Sequence, residues 1–379
     1  MSEINPLPGP ATVIRPARWR RIGRLFLPAV VVSALYFLFV GYPPLRILSL
    51  VRPDWQPDTP TLLVVLVLPI LLRLAAERLP GAPGRMLAAV VMTWFGIAFV
   101  AFLPVLGFEL VNALSTLSAV PLPLPFAGFI VLAIAVLLAL VGLLNAQRLV
   151  VRDLDVAVPS ALSSQVKGLR LVQVSDVHVG SRSGRFLERI VHRVNTLQAD
   201  VVLITGDLVD FAKVAQEELA SLAALRAPVF FAIGNHERYV DLEDICARLT
   251  NLGVRVLRNA DSTLGALQIV GIDDADPRTQ VGRILPFLTP DPERYRVLMY
   301  HRPDGAQYAS DWGVHLMLCG HTHNGQIVPF HWLVRRVFPR ICGIYRVDSL
   351  TLHVSPGTGT WGPVLRLGSR CEITRITLV

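Results

Sequence analysis

Three long stretches without a charged side chain, Leu25–Tyr42, Met86–Phe108 and Phe126–Gln147, dominate the first part of this chain. A bilayer core of about 30 Å takes about 20 mostly apolar residues as helix, so each stretch is fitted to span one. Thr59–Ala76 is read as a further span, although it contains Pro69 and Arg73, whose guanidinium would snorkel to the interface. Arg15, Arg18, Arg20, Arg21 and Arg24 precede the first span, and Arg73, Arg78 and Arg85 surround the second loop. Arg148 and Arg152 follow the last span, whereas Arg46 and Arg52 in the first loop are offset by Asp54 and Asp58, and the third loop carries only Glu109. Positive-inside topology then puts both termini in the cytoplasm. Without the Thr59–Ala76 span the parity flips and the C-terminal half faces outward. Arg20-Arg21 resembles a twin-arginine export signal, but no A-x-A cleavage site follows, so an uncleaved first helix is the preferred reading. Val120–Pro125, alternating with proline, reads as a stiff loop.

Of the 36 Lys+Arg and 28 Asp+Glu, residues 1–150 hold 11 and 5, and residues 151–379 hold 25 and 23. The net charge of +8 therefore belongs mainly to the membrane flanks, and nucleic acid is not an expected partner. Cys246, Cys319, Cys342 and Cys371 show no CxxC spacing and read as buried thiols.

From about Gly168 the pattern changes to short apolar runs alternating with helical periodicity. Leu169–Val174, Val201–Thr205, Val229–Ile233, Val297–Tyr300 and His315–Cys319 read as strands. Phe186–Leu197, Ala212–Leu225 and Asp241–Leu252 read as helices. Such alternation predicts βαβ units and a largely parallel core sheet. Leu267–Gly271, Leu350–Val354 and Glu372–Leu378 read as a second layer. The expected fold is α/β, a two-sheet sandwich flanked by helices and preceded by a helical membrane region.

Asp176-x-His178, Gly206-Asp207, Gly234-Asn-His-Glu237, His301 and Gly320-His-Thr-His323 contribute donors directly after strand runs. Carboxyl ends of strands form the ligand crevice of α/β sheets, so these distant residues are expected to converge. Carboxylate, imidazole and amide oxygen suit Mn²⁺, Fe²⁺/Fe³⁺ or Zn²⁺, and the lack of nearby cysteine argues against a structural zinc cage. Two such ions clamp a phosphoryl group and activate water. Asp207 is the candidate bridging carboxylate.

These blocks resemble the calcineurin-like metallophosphoesterase superfamily over Gly168–Val379, and look most like its bacterial membrane-associated members, which include UDP-2,3-diacylglucosamine pyrophosphatases. Val256-Leu-Arg-Asn259, Val270-Gly-Ile-Asp-Asp274, Gly320–Gln326 and Gly357-Thr-Gly-Thr-Trp361 support the likeness. It implies a first metal on Asp176, His178 and His323, a second on Asn235, His301 and His321, and Asp207 between them. His236 would protonate the leaving oxygen or steady transition-state charge, oriented by Glu237. Asn324 stands where glycine is frequent in the family, and Cys371 where proline is.

Arg366 is read as touching substrate phosphate or as an ordinary surface or supporting ion-pair residue. Phe330–Phe338 interleaves Trp332 with Arg335 and Arg336, and reads as a loop packed on the core or as a lip toward lipid. The organisation expected is a basic tail over 1–24, a membrane region of about four helices over 25–147, a linker over 148–167 and the metal domain over 168–379. The expected activity is hydrolysis of a phosphodiester or pyrophosphate in an amphiphilic, lipid-linked or nucleotide-linked substrate at the bilayer. Alternatives are a soluble-substrate phosphodiesterase and a receptor that binds phosphate ligands without turnover.

Overall fold

A computed structural model describes residues 28–118, 122–211 and 214–379. The basic tail over 1–24 with its twin arginines lies outside these residues. So do Val120 and Pro121 of the Pro-rich loop and the first two residues of the expected Ala212–Leu225 helix. Among the described residues, four helices are long and apolar enough to cross a membrane: α1 (Pro28–Val51), α2 (Thr59–Arg78), α3 (Gly81–Leu117) and α4 (Leu124–Gln147). Asp58 starts α2 by accepting the Thr61 N–H, with a proline in the first turn where no donor is lost. At 37 residues α3 runs about 55 Å, well beyond a hydrocarbon core.

Helix α1 also outruns its uncharged stretch, and this corrects the placing of two charges in loops. Arg46 lies inside α1 and its Nε meets Glu109 of α3 at 2.6 Å, while Tyr42 donates to the same carboxylate at 3.0 Å. A neutralised, hydrogen-bonded pair is tolerated among apolar helices where a lone charge is not.

The remaining chain forms two six-stranded sheets. The strands are β1 (Leu149–Val156), β2 (Arg170–Val174), β3 (Val201–Thr205), β4 (Val229–Ala232), β5 (Val254–Leu257), β6 (Ala260–Leu264), β7 (Leu267–Ile272), β8 (Tyr295–Tyr300), β9 (Leu316–Cys319), β10 (Gly343–Val347), β11 (Leu350–Val354) and β12 (Cys371–Leu378). The first sheet runs β1-β12-β2-β3-β4-β5 and the second β10-β11-β9-β8-β7-β6. Most pairings are parallel, and β3 is buried along its whole length, as expected for a strand covered on both faces. Leu203, Phe230 and Ile376 of the first sheet pack against Ile269, Val297 and Leu318 of the second. Helix α5 (Gly184–Asn195) covers the first sheet's outer face with Leu187, Ile190 and Val194, and α6 (Leu242–Asn251) adds Ile245 and Leu249.

Two expectations need correcting. Residues 149–156, read within the linker, form edge strand β1, paired in parallel along β12 from Leu149↔Cys371 to Val156↔Leu378. Strand β12, read with the second layer, pairs antiparallel with β2 in the first sheet.

The apolar helices α3 and α4 dock on the sandwich through small residues. A Cβ on Gly96 would lie 2.8 Å from Pro363 Cβ, and one on Gly142 2.7 Å from Leu365 Cγ. Segment 361–367 thus reaches both α3 and α4, where the Arg366 N–H donates to Gly142 O at 2.9 Å and the Val364 N–H to Thr93 Oγ1 at 3.1 Å. Arg85 of α3 pairs with Glu218.

Candidate active site

Asp176 and His178 follow β2, Asp207 follows β3, Asn235 and His236 follow β4, His301 follows β8, and His321 and His323 follow β9. All lie beyond carboxyl ends of strands, and both sheets contribute. Among the described residues, five of the ten non-glycine residues with positive φ are in this group: Asp176, His178, Asp207, His321 and His323. Side chains pay of order 1–3 kcal/mol for that backbone, a strain that concentrates at functional sites. The neighbouring glycines let the turns close. Gly206 has φ +84°, and a Cβ on Gly234 would lie 2.2 Å from Asp207 Oδ1.

The donors form three overlapping groups, each with its ligand atoms within 4.8 Å of one another: Asp176/His178/His323, Asp207/His301/His321 and His178/Asp207/His236. His178 Nε2 faces His323 Nε2 at 3.0 Å, and His321 Nδ1 faces His301 Nε2 at 3.2 Å. Asp207 Oδ2 lies 3.0 Å from His301 Nε2, while its Oδ1 accepts the His236 N–H at 2.9 Å. Asp176 is fixed by the His321 N–H at 2.9 Å. Asn235 Oδ1 is buried with no partner. Converging imidazole lone pairs, two buried carboxylates and an orphaned amide oxygen are a donor set that divalent cations satisfy.

The electrostatics agree. Burial, reinforced by His301, pushes His321 well below the usual histidine range, and burial with His178 does the same to His323. Both rings are therefore neutral and keep a lone pair. Burial opposes charging His301, yet Asp207 beside it raises its pKa to about 10. Its Nδ1 lies 2.8 Å from Thr205 O, and an N–H donated there leaves Nε2 for the site. Loading a metal at Nε2 must displace the second proton. Asp207, although buried, is held well below the carboxylate range by His301.

Glu237 and Arg366 differ from their expected contacts. Glu237 makes no hydrogen bond to the His236 ring. It is fully buried and accepts from Asp207 N, Leu208 N, Val209 N and Gly234 N at 2.7–3.0 Å, tying the β3 and β4 loops together. Burial, and then Asp207, push its carboxyl up to about 7, against the pull of those N–H groups. Arg366 is also fully buried. It donates to Pro356 O and Gly359 O and lies 3.2 Å from His323 Nδ1, so it supports that loop. Asn324, at φ 51°, occupies a left-handed position that suits glycine and that asparagine tolerates.

Asp210 is a site residue missed in the sequence. Its Oδ2 lies 3.5 Å from His178 Nδ1, and it accepts from Ser181 N at 3.0 Å. Only its place three residues after Asp207 signals it.

Asp207, Asn235, His236, His321 and His323 line a cavity of about 620 Å³. Phe39 and Val40 of α1, Phe95, Gly96 and Phe99 of α3, and Trp361 also line it. Phe330–Phe338, read as a loop or lip, contains α7 (His331–Val337), whose Val334 lines the cavity with the flanking Phe330 and Phe338. Trp332 and Leu333 on α7 are exposed.

The two-sheet sandwich thus carries, at its strand ends, a donor set suited to divalent cations. Residues 169–325 match the calcineurin-like phosphoesterase family. An uncharacterised metallophosphoesterase of Aquifex aeolicus is 32% identical over 222 residues, covering 55% of this chain and 85% of that protein. A Danio rerio protein described as a transmembrane protein with metallophosphoesterase domain is 37% identical over 272 residues, 65% of this chain and 61% of that protein. An uncharacterised metallophosphoesterase of Campylobacter jejuni is 32% identical over 245 residues, 60% of this chain and 63% of that protein. The chain thus spans about three fifths of the length of the Danio rerio relative. It belongs to the calcineurin-like metallophosphoesterase family.

Proposed function

We propose that the chain is a multi-pass membrane hydrolase that uses two divalent ions to cleave a phosphodiester or pyrophosphate bond in a lipid-linked substrate, of which UDP-diacylglucosamine is one type. The observation that carries this reading is the cavity, lined both by the donors Asp207, Asn235, His236, His321 and His323 and by the aromatics Phe39, Phe95 and Phe99 of the apolar helices α1 and α3. A phosphate head and a hydrocarbon tail match these two kinds of lining, and the tail would enter from the bilayer. Its volume is typical of a small-molecule site. The cytoplasmic side is favoured by the arginine distribution.

Asp176, His178 and His323 would hold one ion, Asn235, His301 and His321 the other, with Asp207 shared. Bound there, the ions supply Lewis-acid polarisation of the phosphoryl oxygens and activation of water. Mn²⁺, Fe²⁺/Fe³⁺ and Zn²⁺ all suit the donors.

His236 faces the cavity with its Nε2 3.9 Å from Asp207 Oδ2, its ring edge-on to Tyr239 and Trp361. Burial pulls its pKa down, so the ring is neutral near pH 7. Of its two expected roles this favours donating an N–H hydrogen bond to a phosphoryl or leaving oxygen over delivering a proton from an imidazolium.

Monomeric phosphodiesters of increasing alkyl length, kept below their micelle concentrations, test the lipid assignment. Each methylene that enters the cavity contributes about 0.8 kcal/mol, so kcat/KM is expected to rise about fourfold per methylene until the cavity is filled. A flat profile, with bis-p-nitrophenyl phosphate cleaved as well as the longest chain, would leave a phosphodiesterase for soluble substrates.

A further inference from the structure

Where α4 ends at Gln147, the first turn of α5 faces a separate hollow of about 270 Å³. Gln147, Ser181, Arg182, Ser183, Arg185 and Arg189 line it, and none of its lining residues is acidic. Ser183, the N-cap of α5, makes no side-chain cap bond, and the first turn holds no acidic residue. The partial positive charge of a twelve-residue helix therefore adds to three guanidinium groups.

Arg182 makes this more than a surface cluster. It is only 4% exposed, with its guanidinium 3.7 Å over the Phe186 ring. Nη2 donates to Ala146 O at 3.0 Å and Gln147 Oε1 at 3.1 Å, the last residues of α4. Nε and Nη1 are buried without a hydrogen-bond partner, and among the described residues no carboxylate pairs with the group. Asp210, behind Ser181, is engaged by Ser181 N and Oγ. Burial lowers the Arg182 pKa to about 10, which still leaves it charged at neutral pH. A buried cation without a counter-charge costs several kcal/mol, and a bound anion would remove that cost.

The place of the hollow selects the anion. It sits at the end of an apolar helix, next to Arg148 in the chain, which for a spanning helix is the level of the lipid phosphates. We propose that Arg182, Arg185, Arg189 and the α5 N-terminus bind the phosphate of an anionic phospholipid headgroup, seating the metal domain against the bilayer. The proposal rests on α4 being a membrane helix and is independent of the hydrolytic reading.

Full-length protein in detergent, kept metal-free so that no ligand is hydrolysed, is titrated with phosphatidylglycerol, phosphatidylcholine and inorganic phosphate. Retained lipid is counted by native mass spectrometry. One phosphatidylglycerol per chain is expected, with phosphatidylcholine lost and inorganic phosphate unable to displace the lipid. The exposed pair Arg185→Glu/Arg189→Glu is expected to weaken retention by at least about tenfold, and Arg185→Glu alone by less, which guards against misfolding of the double variant. Equal retention of both lipids, or retention unchanged in both variants, would overturn the proposal. Displacement of the lipid by inorganic phosphate would overturn the lipid assignment and leave a free-anion site. A chain inactive in every hydrolysis assay would leave these binding results intact.

Discussion

His236→Ala is expected to lower kcat for metal-dependent diester hydrolysis by about 10²–10³-fold, the loss typical of removing one preorganised donor to a developing oxyanion. Its ring belongs to the third donor group, but Asp176/His178/His323 and Asp207/His301/His321 are complete without it. Both ions should therefore remain, with KM little changed, because the hydrogen bond strengthens as charge develops in the transition state. Metal content measured by mass spectrometry beside the kinetics separates the roles. Loss of an ion with activity would make His236 a ligand, and unchanged kcat would remove it from the chemistry.

Glu237→Ala is expected to cost the most stability of any single change at the site. The carboxylate accepts four backbone N–H groups, all buried, and alanine leaves them facing a void. Each unsatisfied donor costs about 1–3 kcal/mol, although water entering the cavity would recover part of this. A net loss of about 4 kcal/mol corresponds to a fall of about 10 °C in Tm for a domain of this size. Glu237→Gln, which keeps an acceptor oxygen but points an NH₂ at a donor, should fall between. Thermal unfolding followed by tryptophan fluorescence in detergent measures both, and a shift under about 2 °C for Glu237→Ala would contradict this account.

Strands buried on both faces were easy to find in the sequence. Val201–Ile204 is a continuous apolar run ahead of Thr205, Leu350–Val354 alternates apolar residues with Thr351 and His353, and the structure keeps the bounds of both strands. The motif residues declared themselves because polar donors end such runs. Pairing was less legible. Residues 149–156 mix charge with valine, the pattern of an edge strand, and only the distant β12 makes them one. Nothing local in Glu372–Leu378 shows that it joins the first sheet. Contacts of long side chains were hidden for the same reason. Arg46 and Glu109 look like loop charges until two helices bring them together, and Asp210 has no spacing of its own. The cavity was least legible of all, since its walls come from residues between Phe39 and Pro363.

The most direct test of the central claim is to strip purified full-length protein of metal and titrate back Mn²⁺, Zn²⁺ or Mg²⁺ while following bis-p-nitrophenyl phosphate hydrolysis and bound metal together. The account predicts no turnover in the stripped protein and recovery that saturates at two ions per chain. Two ions bound with no hydrolysis under any metal would contradict it and point to a receptor that holds phosphate ligands without turning them over.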